Sequence, residues 1–394
     1  MKIPVGEAEL LPPPILIPDE LIREILLLLP VKSLMRFRFV CKSWNLIISN
    51  PQFVKRHLRC SLDNNIRDFA HIQLLSESYN AGNESLDQSY VSIYSIPLLF
   101  SSQKGNLYPI ESGYNLIGVC NGLVSFAKRR YFYSENVSSY SCWVRLWNPI
   151  TGLWSMSPPL TFSRQPFEDN SDDSFGFGYD CMNETYKMVA IMDMRNSLEE
   201  EPEKNVVKIY DMGSTCWRRI QSFPDLPNRV WPSAMSNGVY ASGALNWLIL
   251  TKTKTFIVVS LNLGREEYLQ LSLPPSSQHA KDRCFPLLDV LKDSLCILQN
   301  DGEKGFVVWQ MKEFGAQASW TKLFNFRFER NLAHMIPYFS PMQFILSEIN
   351  EVLLMSYNEL VLYNHRDNTF KVSHRASQYA WIVHNYIGSL VSPY

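Results

Sequence analysis

Histidine and cysteine, whose side chains bind metals and act as bases or nucleophiles, are scattered through this sequence. None of the seven histidines has another histidine four positions away, and no H-E-x-x-H motif occurs. The eight cysteines include no C-x-x-C pair, and the nearest two, Cys284 and Cys296, are twelve residues apart. Zinc sites and helical metal pairs need closer ligands. The spacing therefore predicts no local metal centre and no bound cofactor.

Signatures of nucleotide binding and acyl transfer are also missing. Gly176 and Gly178 form a G-x-G, but the third glycine and the strand-to-helix context of a dinucleotide site are absent. The chain has neither a P-loop nor a G-x-S-x-G elbow. These observations predict a non-catalytic protein and leave one alternative open, an active site assembled from residues distant in sequence.

Two local charge clusters suggest binding instead of catalysis. Seven lysines and arginines and no acid lie in Val31–Cys60, which favours an acidic surface on a partner protein. A nucleic-acid site would interleave such residues with stacking aromatics, whereas Phe37 and Trp44 are predicted core anchors. The four glutamates between positions 199 and 203 are interpreted as a solvated hairpin insert, with recruitment of a basic target as the alternative.

Composition bounds the class of protein. The chain has 394 residues, 46% of them hydrophobic, and a formal net charge of −1, which is typical of soluble globular proteins with more than one domain. The N-terminus lacks the pattern of a signal peptide, and the Leu26–Leu29 run is too short to span a bilayer. We expect a cytoplasmic or nuclear protein with reduced thiols and no nucleic-acid or membrane partner.

Short amphipathic helices are predicted between Ile17 and Ile48. Pro18 suits a helix start and Pro30 a helix stop. Ser33 is the predicted cap of a second helix, and Pro51 opens a fourth after Asn50. One apolar stripe contains Leu21, Ile25, Leu28 and Leu29. The stripes are too rich in apolar residues to close on one another, which predicts a partner protein.

The order of these residues resembles the F-box, the adaptor-binding module of SCF ubiquitin ligases. The matching elements are Ile17-Pro18, Glu24-Ile25, Leu29-Pro30, Ser33-Leu34, Arg36, Arg38, Val40-Cys41-Lys42 and Trp44. Ile17 in place of leucine, and the apolar Leu27-Leu28, depart from the family's pattern. The resemblance implies that the following residues bind the adaptor or form the module's core: Pro18, Leu21, Ile25, Leu29, Pro30, Leu34, Val40 and Trp44.

The rest of the chain repeats at about fifty residues. Each copy has a β-type run, then Asn or Asp, a turn and an aromatic residue, as in VRLWNPITGLWSMSPP. The aromatic marks are Trp154, Trp217, Tyr268, Trp320 and Phe370, with separations of 63, 51, 52 and 50 residues. This period is typical of kelch-like propeller blades. We predict that the marks pack between blades, and that the run from Tyr386 to Val391 supplies a strand that closes the ring.

This body resembles the F-box-associated domain of plant F-box proteins, including the S-locus and defence-regulator types. The resemblance is carried by Gly118–Leu123, Leu146–Gly152, Phe175–Asp180, Val207–Trp217 and Gly238–Trp247. Asn121-Gly122 is predicted to form a tight turn, and the glycines at 176 and 178 are predicted to allow close backbone approach. The predicted fold is α+β and multidomain: a flexible tail (1–12), a three-helix F-box (13–59) and an all-β propeller of about six blades (60–394).

The two resemblances together imply a substrate receptor. The F-box would bind a Skp-type adaptor, and through it cullin and RING subunits, while the propeller would bind a protein target. The predicted target surface is loops, including Arg164–Ser174 and Asn196–Asn205, because loops tolerate change. A propeller scaffold or carbohydrate-binding protein without a ligase role is the alternative, and adaptor binding distinguishes the two.

Overall fold

The fold is taken from a computed structural model of the full chain. It describes residues 17–63, 70–81, 84–94, 106–111, 113–133, 138–164, 173–193, 205–224, 237–251, 255–274, 286–300, 305–327, 343–346, 351–355, 360–373 and 383–394. The chain divides into two compact units, residues 1–68 and 69–394. No helix among these described residues is long and apolar enough to cross a bilayer.

The described part of the N-terminal unit, residues 17–63, contains four helices. They are α1 (Asp19–Leu27), α2 (Val31–Phe37), α3 (Lys42–Ser49) and α4 (Pro51–Asp63). Pro18 precedes α1 as its N-cap instead of forming its first residue. The predicted cap at Ser33 is wrong: Pro30 occupies the N-cap of α2 with φ −57°, and Ser33 lies in the first turn, where its N–H donates to the carbonyl of Pro30 at 2.9 Å.

Helix α4 is longer than the sequence suggests and passes the domain boundary predicted at residues 59 and 60. The side-chain oxygen of Asn50 accepts the N–H of Gln52 at 2.8 Å, which caps its N-terminus. The core of the unit contains Leu26, Leu34, Ile48 and Phe53, all nearly inaccessible to solvent. Four short helices thus share one small apolar core. The domain bounds themselves stay a prediction.

The described strands of the second unit form six antiparallel sheets, here called blades 1 to 6. Blade 1 contains β25 (Val383–Tyr386), β1 (Ala70–Ala81), β2 (Glu84–Tyr94) and β3 (Asn106–Ile110). Blade 2 contains β4 (Tyr114–Cys120), β5 (Leu123–Tyr133), β6 (Ser138–Trp147), β7 (Trp154–Met156) and β8 (Leu160–Arg164). Blade 3 contains β9 (Ser174–Asp180), β10 (Thr185–Asp193), β11 (Asn205–Asp211) and β12 (Arg218–Arg219).

The remaining blades have four strands each. Blade 4 contains β13 (Val239–Ala241), β14 (Ala244–Leu250), β15 (Phe256–Asn262) and β16 (Tyr268–Ser272). Blade 5 contains β17 (Leu287–Leu291), β18 (Ser294–Asn300), β19 (Gly305–Met311) and β20 (Trp320–Arg327). Blade 6 contains β21 (Gln343–Leu346), β22 (Glu351–Met355), β23 (Leu360–Asn364) and β24 (Thr369–Ser373).

The sheets form a closed ring. One edge strand of each sheet contacts the neighbouring blades, and in blade order these strands are β25, β4, β9, β13, β17 and β21. Each contacts the corresponding strand of the next blade, and β21 contacts β25. The described residues thus form a six-bladed β-propeller, in which each blade contacts its two neighbours. The predicted fold and the predicted number of about six blades are confirmed.

The ring closes by pairing both ends of the unit. Strand β25 pairs antiparallel with β1, with Tyr386 opposite Ala70 and Val383 opposite Gln73. The closing strand therefore ends where the predicted one begins. The residues after Tyr386 are not a strand, but Ser389 is fully buried, and its hydroxyl donates to the carbonyl of Asn121 at 2.6 Å. The segment at 387–394 packs against blade 2.

Glycines allow blades 3 and 4 to approach closely. Gly176 and Gly238 form a parallel bridge, and the N–H of Gly238 donates to the carbonyl of Phe175 at 2.6 Å. A Cβ on Gly176 would lie 2.7 Å from a methyl carbon of Leu245, and one on Gly178 would overlap the ring of Tyr240. The predicted close approach at these glycines is confirmed.

Three of the periodic aromatics join consecutive blades by the same contact. The indole N–H of Trp217 donates to the carbonyl of Pro158 at 2.9 Å, and that of Trp320 donates to Ser272 at 3.0 Å. The hydroxyl of Tyr268 donates to Gln221 at 3.1 Å. Each acceptor lies four residues after the aromatic mark of the preceding blade. The predicted packing between blades is confirmed for these three, and Phe370 contacts Phe326 of blade 5.

Candidate functional site

The residues predicted to bind the adaptor or form the N-terminal core fall into groups by exposure. Leu34 is fully buried, and Leu29 and Trp44 are partly buried. The exposed members are Pro18, Leu21, Ile25, Pro30 and Val40. Exposure thus separates residues that hold the helices together from residues available to a partner, a distinction that the sequence does not provide.

Helix α1 presents an apolar row to solvent. Leu21, Ile25 and Leu28 follow the i, i+4, i+7 spacing of one helix face, and each is 54–58% exposed. The opposite face is also apolar, because Leu26 and Leu27 are buried in the core. Periodicity alone missed these two core residues because both faces of this helix are apolar.

A second exposed apolar group lies around the connection from α2 to α3. Phe39 is 88% exposed, Val40 is 62% exposed, and Leu46 lies on the outer side of α3. Neither Phe39 nor Leu46 is among the residues that the sequence predicted to bind a partner. Large apolar side chains at such exposure are unusual on a small unit and mark an interaction surface.

Two polar contacts hold α1 against α4. The guanidinium of Arg56 contacts both carboxylate oxygens of Glu24, at 2.8 and 3.0 Å. The Nε2–H of His57 donates to the carbonyl of Leu29 at 2.9 Å. Burial lowers the pKa of His57, which favours the neutral ring. These bonds fix the orientation of the exposed α1 row.

The exposed row belongs to a basic unit. Exposed cationic side chains include Lys32, Arg36, Lys42 and Arg59. Arg38 is occupied within the unit, where it donates to Asn45 at 3.1 Å and to Ser49 at 2.7 Å. Apolar contacts supply most of the affinity at such surfaces, and surrounding charges select the partner. The combination favours a partner with an apolar groove and acidic surroundings.

The most buried charge cluster of the propeller is structural. The ammonium of Lys187 lies 2.9 Å from Asp180 and 3.0 Å from Glu266, and donates to the carbonyl of Leu263 at 2.7 Å. Arg218 contacts the same Glu266 through two nitrogens. Burial disfavours the charged ammonium, but the bonds from Asp180 and Glu266 outweigh it and raise the pKa of Lys187. Every charge is paired, and the cluster joins blades 3 and 4.

The rest of the described chain offers few reactive groups. No set of three or more His, Cys, Asp or Glu among the described residues is placed to hold a metal ion. Burial raises the pKa of the Cys142 thiol to about 12, which makes it a poor nucleophile. The predicted target loops lie outside the described residues except at their ends, which are Arg164, Asp173, Ser174 and Asn205.

Family comparisons agree with this geometry. The model described as the F-box associated beta propeller domain matches residues 89–393, more than half of the chain. The chain belongs to the F-box-associated β-propeller family. The F-box domain model matches residues 15–56, which cover α1, α2, α3 and the start of α4. The four-helix unit is therefore an F-box, and the family resemblance predicted from the sequence is confirmed.

Relatives of this F-box protein share its organisation. The Arabidopsis thaliana F-box/kelch-repeat protein At3g23880 is 29% identical over 78% of this chain and 78% of its own length. The Arabidopsis thaliana F-box protein CPR1 is 23% identical over 92% of this chain and 86% of its own length. Among solved structures, the periplasmic gluconolactonase PpgL of Pseudomonas aeruginosa has a TM-score of 0.40 and 12% identity over 81% of this chain and 99% of that chain. That likeness is too distant to bear on function.

The domain composition sets the general role of this F-box protein. An F-box followed by an F-box-associated propeller, shared with plant F-box/kelch relatives, is the organisation of an SCF substrate adaptor. In F-box proteins of this organisation, one domain joins the ligase and the other selects the protein that is modified. The F-box domain implies binding to a Skp-type adaptor.

Proposed function

We propose that this protein is a non-catalytic substrate receptor of an SCF-type ubiquitin ligase. Its F-box binds a Skp-type adaptor, which links it to cullin and RING subunits, and its propeller binds a protein target. The proposal places the protein in the cytoplasm or nucleus. The free state of all seven described cysteines is in keeping with such a compartment.

The exposed apolar row of α1 carries the proposal. Leu21, Ile25 and Leu28 remain at least half exposed although the same helix buries Leu26 and Leu27. Covering the exposed half of each of these side chains contributes about 1 kcal/mol, less the cost of ordering the interface. A folded F-box with an unsatisfied apolar face is therefore suited to binding a second protein.

The receptor acts by proximity. Holding a target lysine beside a charged conjugating enzyme raises the effective concentration of the two reactants, so the receptor needs no acid, base or metal of its own. The buried Lys187 of the propeller is in keeping with this role, because it is paired with Asp180 and Glu266 in a contact that joins two blades.

Adaptor binding by exposed-site variants tests the proposal. Ile25→Asp and Val40→Asp place a carboxylate on the apolar surface and leave the buried core intact, so we expect each to weaken binding to a purified Skp-type adaptor at least tenfold by isothermal titration calorimetry. The matched control is Gln52→Asp, which adds the same charge at an exposed polar position in the first turn of α4. The control is expected to bind like the wild type.

Exposure also dictates which variants are uninformative. Leu34→Asp would bury a charge at a fully buried position and report unfolding instead of lost contact. The proposal is overturned if the folded wild type does not bind the adaptor. It is also overturned if Ile25→Asp and Val40→Asp bind as tightly as Gln52→Asp. Absence of adaptor binding by the wild type would favour the interpretation as a propeller scaffold.

A further inference from the structure

Blade 2 carries an exposed apolar edge on its outer strand. Leu153, Trp154 and Met156 are 41%, 47% and 49% exposed, at and beside the short strand β7. Together with Arg145 on the neighbouring strand β6, they are called here the blade-2 edge patch. The patch lies on the propeller and is separate from the F-box surface described above.

Trp154 does not make the contact between blades that the corresponding aromatics of other blades make. The aromatics of blades 3, 4 and 5 donate to a carbonyl of the preceding blade. The indole N–H of Trp154 has no hydrogen-bond partner among the described residues, and nearly half of the side chain is open to solvent. The prediction that every periodic aromatic packs between blades is wrong at this position. A position that is structural elsewhere in the ring is thus available for binding here.

Arg145 supplies a positive charge at the same place. Its guanidinium lies 4.6 Å from the centre of the Trp154 ring and 6.0 Å from that of Tyr114. No carboxylate among the described residues forms an ion pair with it. The register places Arg145 opposite Met156 and Trp147 opposite Trp154, so these side chains share one face of the sheet. That face is the one on which Trp147 meets Tyr108 of blade 1.

The patch is held rigidly. The turn between β6 and β7 is fixed by Asn148, whose side-chain oxygen accepts the N–H of Ile150 at 2.8 Å. The amide of the same Asn148 is bound to the segment at 387–394. A surface that is already ordered loses little conformational entropy on binding. Tryptophan, methionine and arginine are also the residue types enriched at the energetic centres of interfaces.

We propose that the blade-2 edge patch binds an acidic segment of the target protein that also carries apolar side chains. This inference rests on the proposed receptor function and specifies its substrate class. A carboxylate of the target accepts from the free edge of the Arg145 guanidinium, whose face remains stacked on Trp154. Apolar side chains of the same segment cover Trp154 and Met156. Charge complementarity selects this occupant, because the patch carries a cation with which no carboxylate of the described residues forms an ion pair.

Peptide binding to the full chain tests this surface. The probe is a fluorescein-labelled twelve-residue peptide of glutamate, phenylalanine, leucine and glycine, and the comparison peptide has lysine at every glutamate position. By fluorescence anisotropy at low salt we expect binding of the acidic peptide and none of the lysine peptide. Arg145→Gln and Trp154→Ala are each expected to weaken acidic-peptide binding about tenfold, which corresponds to about 1.4 kcal/mol. Arg145→Lys keeps the charge and is expected to retain part of the affinity.

Matched controls lie on other blades. Leu269→Ala removes a similarly exposed apolar side chain from the outer strand of blade 4, and Arg366→Gln removes an exposed guanidinium from a turn of blade 6. Both should bind the acidic peptide like the wild type. All five variants change exposed or partly exposed side chains, so unchanged thermal unfolding midpoints would show that lost binding is local.

The inference is overturned if the two peptides bind equally, or if Arg145→Gln and Trp154→Ala bind like the controls. It is also overturned if sedimentation shows that the patch joins two copies of this chain and Trp154→Ala abolishes the dimer. Adaptor titration of the same Trp154→Ala protein separates the two proposals, because the F-box does not include the patch. Peptide binding without adaptor binding would reject the receptor function and keep the patch, and adaptor binding without peptide binding would do the reverse.

Discussion

Asn148 holds Ser389 in place across 241 residues of sequence. Its amide nitrogen donates to the carbonyl of Ser389 at 3.0 Å and to that of Val391 at 2.7 Å, while its oxygen accepts two N–H groups of its own turn. Both Asn148 and Ser389 are fully buried. One side chain thus shapes a hairpin and fixes the segment that follows the closing strand.

Asn148→Ala is expected to lower the free energy of unfolding by about 2–4 kcal/mol, because it leaves buried carbonyls and turn amides without partners. The matched control is Asn262→Ala, which removes the same kind of turn bonds, to Gly264 and Arg265, with no long-range contact by its amide. We expect about 1 kcal/mol for the control. Chemical denaturation followed by tryptophan fluorescence measures both, and equal losses would show that the long-range bonds contribute nothing.

Gly122→Ala and Gly152→Ala separate backbone strain from crowding. Both glycines have positive φ, 79° and 72°, so both substitutions carry the cost of a left-handed conformation, about 1–2 kcal/mol. A Cβ on Gly122 would also overlap the hydroxyl of Ser389, whereas one on Gly152 meets nothing within 4 Å. We expect a clearly larger loss of unfolding free energy for Gly122→Ala. A loss no greater than that of Gly152→Ala would argue against tight packing at Ser389.

Lys187→Met is expected to destabilise the propeller by about 3–5 kcal/mol, because it leaves the buried Asp180 without its cation. The double variant Lys187→Met with Asp180→Asn removes both charges and should cost less than the sum of the two single changes. The comparison is a double-mutant cycle of unfolding free energies. Simple additivity would mean that the two charges do not stabilise each other.

His384 makes the propeller sensitive to acid. It lies on the closing strand opposite Ile72, its Nε2 is buried without a partner among the described residues, and burial lowers its pKa to about 4. An unfolded histidine has a pKa of about 6.5, so between pH 6.5 and 4 the unfolded chain binds the extra proton. Stability should therefore fall as the pH drops through this range, by up to about 1.4 kcal/mol per pH unit.

The control for this pH dependence is His384→Leu, which replaces the titrating imidazole with an apolar side chain. The difference in unfolding free energy between wild type and variant should change in favour of the variant as the pH drops from 6.5 to 4. A difference that stays constant over that range would show that His384 does not titrate with a lowered pKa.

Features that depend on repeated local patterns were predictable from the sequence. The fifty-residue period indicated the propeller, and turn chemistry indicated the hairpins at Asn121-Gly122 and Asn148. The Trp217, Tyr268 and Trp320 contacts followed from the same period, because each copy meets its neighbour in the same way. The sequence similarly predicted the helices of the F-box, with errors at the starts of α1 and α2 and at the end of α4.

Features that depend on which face a neighbour covers were not predictable. Periodicity cannot assign the buried side of a helix when two of its faces are apolar, and in α1 Ile25 is exposed while Leu26 is buried. Trp154 has the sequence context of Trp217 but a different environment, because the preceding blade offers it no acceptor among the described residues. The buried pairing of Lys187 with Glu266 joins residues from separate blades, which no local spacing reveals.

The pairing of β25 with β1 also determines when the protein can become complete. Residues 70–73 leave the ribosome more than three hundred residues before residues 383–386, an interval of roughly 15–60 s at ordinary rates of synthesis. The residues of the F-box have already been synthesised when this interval begins, whereas the first blade lacks strand β25 until it ends. A nascent chain thus has a complete F-box well before its propeller ring closes, and the open edge of β1 is the segment that chaperones would need to protect.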